Sequence, residues 1–87
     1  MKHAGPETLD RIEPLLSELR KRAGLKEKSR GCFYRGSRGF LHFHEHGPEL
    51  FADVRLHDDF ELLAATTAKD RQALLRKVDV ALAQKHR

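Results

Sequence analysis

His42 and His44 stand two residues apart in Gly39-Phe40-Leu41-His42-Phe43-His44-Glu45-His46, and Asp53 follows in Leu50-Phe51-Ala52-Asp53-Val54-Arg55-Leu56. Imidazole and carboxylate are donors that zinc, iron, nickel and copper accept. On an extended strand, residues two apart project to the same side, so both histidines can address one divalent transition metal ion. Asp53 joins them if the second stretch returns beside the first, and His46 or His57 would complete the set. The same groups have a plainer use. A carboxylate facing an imidazole is also a surface ion pair, and His-x-His arises readily in a chain with six histidines. An enzyme built here would use His42 as general base, oriented by Asp53, with Arg55 or His44 stabilising a developing anion. No activated nucleophile, glycine-rich phosphate loop or cofactor fingerprint accompanies them, so a non-catalytic role is expected.

Alternation dictates how these groups are held. Phe40, His42, His44 and His46 share one side of the first strand, and Leu41 and Phe43 the other. On the return strand Leu50, Ala52, Val54 and Leu56 form one row, and Phe51, Asp53 and Arg55 the second. The apolar rows must face one core. With a Gly47-Pro48 turn, that sets Leu41 opposite Val54, Phe43 opposite Ala52 and His42 opposite Asp53. The outer side then carries Phe40, His42, His44, Phe51, Asp53 and Arg55, with Phe33 beside them. Aromatics next to ionisable groups suit a small ligand, a metal or a protein partner, and the chain is expected as a monomer or weak homodimer.

Residues 1–7 read as a flexible leader. Thr8 caps a helix whose Leu9, Ile12, Leu16, Leu19 and Ala23 share a face. Pro14 either kinks that helix or marks where its well-formed part begins, and Gly24-Leu25 stops it. Cys32 to Arg35 and Arg38 to Leu41 form a hairpin around Gly36-Ser37, with Cys32 opposite Leu41 and Phe33 opposite Phe40. Cys32 is then a buried, inert thiol. Phe60 to Thr66 reads as a weaker fourth strand, placing Phe60 opposite Leu56, Leu62 opposite Val54 and Glu61 opposite Arg55. Thr67 begins a last helix, with Asp70 completing an imperfect capping box and Leu74, Leu75, Val78, Ala81 and Leu82 as its apolar stripe. Lys69, Arg71, Arg76, Lys77 and Lys85 occupy its other faces. The expected fold is α+β: a four-stranded antiparallel meander with an N-terminal and a C-terminal helix, in the order α-β-β-β-β-α. Both helices cover the Leu41, Phe43, Ala52, Val54 and Leu62 face, unless the last one crosses to the other side.

A chain of 87 residues bounds the fold to a single domain, 1–87, and 39% hydrophobic with 34% charged residues suits a folded globular protein. Cys32 is the single cysteine, which excludes an intrachain disulfide and a zinc finger. No apolar run reaches membrane-span length and no signal segment is evident, so a cytoplasmic location and no membrane partner are expected. The net charge of +4 is concentrated in Arg20, Lys21, Arg22, Lys26, Lys28 and Arg30, continuing to Arg35 and Arg38 and opposed in sequence only by Glu27. Clustered cations of this kind bind nucleic acid through phosphate contacts, or simply solvate a helix end. Nucleic-acid binding is therefore the alternative function.

The stretches Gly39-Phe40-Leu41-His42-Phe43-His44-Glu45 and Phe51-Ala52-Asp53-Val54-Arg55-Leu56 resemble a histidine-rich strand and its return strand in small uncharacterised bacterial proteins. The layout of helix, Gly-Leu stop, hairpins and closing helix is loosely similar to domains of the MmcQ/YjbR type. That resemblance implies a bacterial domain, and by analogy a DNA-binding role through the basic segment. It transfers no catalytic set, and the longer C-terminal portion of that type has no counterpart here.

Overall fold

The computed structural model describes residues 1–84, and Lys85, assigned above to the last helix, lies outside the described residues. Along the chain come β1 (Lys2–His3), α1 (Pro6–Arg11), α2 (Glu13–Arg20), β2 (Lys26–Ser29), β3 (Cys32–Arg35), β4 (Arg38–His46), β5 (Glu49–Val54), β6 (Glu61–Ala64) and α3 (Ala68–Ala83). The fold is α+β, with an antiparallel sheet and helices towards both ends. The sheet has six strands, not four: β2-β3-β4-β5-β6 in order, with β1 also paired to β4. The expected leader therefore contributes a strand, in which Lys2 pairs with Glu45 and His3 with His44. Because β5 occupies the other side of β4, β1 lies along the part of β4 that β3 leaves free. No helix among the described residues is long and apolar enough to cross a membrane.

The single N-terminal helix expected from periodicity is two short ones. Ile12 breaks the run at φ −106° and ψ 18°, and Pro14 sits in the first turn of α2, where its missing amide costs no helical hydrogen bond. Gly5, not Thr8, caps α1. Thr8 lies inside that helix and donates its hydroxyl to Glu45 Oε2 at 2.8 Å, while the Gly5 amide donates to the same oxygen at 2.7 Å. Glu45 thus fastens the start of α1 to β4. Gly24 has the expected left-handed backbone, at φ 94°, but α2 already ends at Arg20, so Ala23 stands exposed beyond the helix and not on its apolar face. On α3 the capping box is complete, Thr67 accepting from the Asp70 amide and Asp70 from the Thr67 amide.

The central register agrees with the alternation: Leu41 pairs with Val54, His42 with Asp53 and Phe43 with Ala52. Ile12 from the break between α1 and α2, Leu16 and Leu19 from α2, and Leu74, Val78 and Ala81 from α3 join these apolar rows in one buried cluster. Both helical segments therefore cover the same side of the sheet. Two outer registers differ from expectation. Phe33 pairs with Leu41 and Tyr34 with Gly39, leaving Phe40 as the extra residue of a bulge. As a result Phe33 and Phe40, expected outside, are buried in the core at 1% and 3% exposure. Cys32, expected opposite Leu41, is half-buried opposite Ser29. Farther along, Val54 pairs with Glu61, Asp53 with Leu62 and Ala52 with Leu63, one residue from the expected alignment. Leu63 turns inward and Leu62 stands outside, 47% exposed.

Candidate metal centre

β4 is the middle of the sheet, and its His42 and His44 point away from the helices because Leu41 and Phe43 point towards them. Asp53 stands opposite His42 on β5. His42 Nε2 lies 3.4 Å from Asp53 Oδ2, and His44 Nε2 lies 3.6 Å from the same oxygen. One donor atom from each of the three residues lies within 4.8 Å of the others. Two ligands held about 2.0–2.1 Å from a tetrahedral ion are about 3.3–3.4 Å apart. Both nitrogen–oxygen distances are near that spacing, and the group as a whole, spread over up to 4.8 Å, must draw together to converge on a metal.

The surroundings shield the group partly from solvent. All three side chains are half-buried. The Phe60 ring meets His42 edge-on at 5.2 Å between centroids, and the Arg55 guanidinium lies 4.3 Å over that ring. Burial, the largest influence, holds the His42 pKa below the usual imidazole value of 6.5 against the opposing pull of Asp53, and the neighbouring His44 and His3 lower it further. A neutral imidazole is the form that binds metal. His44 Nδ1 is buried and has no hydrogen-bond partner among the described residues. Such a nitrogen typically costs roughly 1–3 kcal/mol to leave unpaired, and it lies on the ring position away from the Nε2 that faces Asp53.

Of the residues expected at this face, His42, His44, Phe51 and Asp53 occupy it, whereas Phe40 belongs to the core. Arg55 borders it but is committed elsewhere: its Nε donates to the Gly39 carbonyl at 3.0 Å and its Nη1 to the Asp58 carbonyl at 2.8 Å. His46 and His57 are exposed and stand outside the donor group. Sequence reasoning missed His3, Phe60 and Leu62. His3 pairs with His44 across β1 and β4, and their rings lie 4.8 Å apart. Leu62 pairs with Asp53 and gives the site an apolar flank.

The basic segment is differently placed from its sequence neighbours. Arg20 bonds Glu13 and Glu27, Lys21 bonds Glu18, Arg22 bonds Glu18 and Asp79, and Arg30 bonds Asp10 and Glu13. Folding thus adds Asp10, Glu13 and Asp79 to the nearby Glu18 and Glu27 as its carboxylate partners. The Lys28 ammonium rests 4.3 Å over the Tyr34 ring. Comparison with protein-family models, curated proteins and solved structures finds no match to this chain, so the geometry of its own residues carries the functional argument.

Proposed function

We propose that this chain is a small non-catalytic binding domain whose ligand is a divalent transition metal ion, held by His42, His44 and Asp53. The observation that carries this reading is the approach of both imidazole Nε2 atoms to a single oxygen of Asp53. Two nitrogens and one oxygen suit zinc, iron, nickel or copper better than magnesium or calcium, which favour all-oxygen shells. Phe60 packs edge-on against His42 at the rim, and the lone thiol of Cys32 is compatible with a reducing, cytoplasmic setting.

The test is a titration of the isotope-labelled chain with Zn²⁺, followed by amide shifts, with Mg²⁺ as control. Zn²⁺ should move β4 and β5 amides and saturate at one ion per chain, and Mg²⁺ should not. Asp53→Asn should weaken Zn²⁺ binding by about tenfold or more, equivalent to at least about 1.4 kcal/mol. Unmoved β4 and β5 amides at saturating Zn²⁺ would remove this reading. Nucleic-acid binding has less support, since Arg20, Lys21, Arg22 and Arg30 all have carboxylate partners. It predicts instead that an oligonucleotide shifts amides from Arg20 to Arg30, with affinity falling steeply as salt rises.

A further inference from the structure

The donor group just described has three protein ligands, the number typical of an open metal site, whereas structural zinc sites are closed by four. A fourth imidazole stands beside it. His3 and His44 are direct partners across β1 and β4, so their side chains leave the same face of the sheet. The His3 ring centroid is 4.8 Å from that of His44 and 5.8 Å from that of His42. Asp53 reaches the histidine pair from the β5 side of β4, and His3 reaches it from the opposite side. The pair is thus flanked by a donor on each hand.

We propose that His3 closes the site as a fourth ligand, so that metal binding and docking of the N-terminal strand are one coupled event. This rests on the three-residue site proposed above. The His3 nitrogens are not among the donor atoms already within 4.8 Å of one another, so the ring must turn to reach the ion. It is free to do so: His3 is exposed, and its side chain makes no hydrogen bond among the described residues.

The backbone around His3 is placed to transmit the coupling. β1 is two residues long, and its pairing with β4 is extended only by the Ala4 amide, which donates to the Phe43 carbonyl at 3.1 Å. A strand so short has little stability of its own. Glu45, adjacent to His44, accepts from the Gly5 amide and the Thr8 hydroxyl just beyond the strand. These bonds hold the chain immediately after His3 and leave the His3 side chain itself outside them. An ion bonded to His3, His42, His44 and Asp53 would tie β1 across β4 to β5.

The experiment uses the full chain, wild type and His3→Ala, with Zn²⁺ for affinity, Co²⁺ for coordination geometry and hydrogen exchange for strand docking. Circular dichroism of His3→Ala should match the wild type, because the exposed ring supports no core contact. In the wild type, Co²⁺ should give the intense visible bands of a four-coordinate tetrahedral ion, and Zn²⁺ should slow exchange of the Ala4 amide. In His3→Ala, Zn²⁺ affinity should fall by about tenfold or more, the Co²⁺ bands should weaken or shift, and Ala4 should no longer respond. Equal Zn²⁺ affinity and identical Co²⁺ spectra in both proteins would overturn the role of His3 while leaving the three-residue site intact. Failure of the wild type itself to bind either ion would overturn both.

Discussion

Phe43 and Ala52 face each other across β4 and β5 beneath the helices, one position along from the His42–Asp53 pair that faces the opposite way. The two adjacent pairs should therefore respond to mutation very differently. Phe43 is 3% exposed within the core, so Phe43→Ala should cost about 3–5 kcal/mol through lost burial and the cavity left behind. His42→Ala should cost less than about 1 kcal/mol, as expected for a half-exposed site outside the core. Urea midpoints of the two variants measure the contrast. A strongly destabilised His42→Ala would mean that the imidazole supports the fold rather than a ligand.

Gly31 and Gly36 both hold positive φ, at 80° and 64°, but in different surroundings. A Cβ on Gly31 would lie 2.8 Å from Leu9 Cδ2, whereas one on Gly36 would meet nothing within 4 Å. Gly36→Ala should show the left-handed backbone penalty alone, about 1–2 kcal/mol. Gly31→Ala should cost more, because Leu9 must also move. Equal thermal midpoints for the two variants would show that Leu9 yields freely.

Thr67 Oγ1 accepts the Asp70 amide at 3.0 Å at the start of α3. Thr67→Ala removes that acceptor and should destabilise the domain by about 0.5–2 kcal/mol. Thr67→Ser should keep most of the lost stability. Chemical denaturation of the three proteins decides whether the hydroxyl or the methyl group matters.

The Arg20 guanidinium, followed in effect by the Gly31 amide, holds the Glu27 carboxyl below its ordinary pKa of 4.5, despite the opposing influence of burial. A carboxyl more acidic when folded contributes stability that is full above pH 4.5 and is lost as pH falls through the folded value. Wild-type urea midpoints should accordingly drop more steeply below pH 4.5 than those of Glu27→Gln. Parallel curves for the two proteins would show that this pairing does not link folding to pH.

The β4–β5 hairpin was legible because long alternating rows leave one alignment that buries both apolar sets. The capped final helix was legible for a similar reason: Leu74, Val78 and Ala81 repeat at helical spacing behind Thr67. Where the pattern was ambiguous, the alignment slipped. Leu62 and Leu63 are adjacent, so either register puts one leucine inward, and the chain places Leu63 there. A bulge leaves no mark on alternation, which is why alternation alone puts Phe33 and Phe40 on the wrong side. β2 reads Lys-Glu-Lys-Ser and is mostly exposed, giving no apolar period, while β1 is too short to show one. With β1 goes His3, whose ring stands beside those of His42 and His44.

Because both helical segments cover one side of the sheet, alternate positions on β4 answer to separate demands. Leu41 and Phe43 hold the interior, and the intervening histidines are free of that duty. A strand arranged in this way can trade one set of outward side chains for another while its interior stays seated, so the chemistry of that face is open to redesign without rebuilding the scaffold.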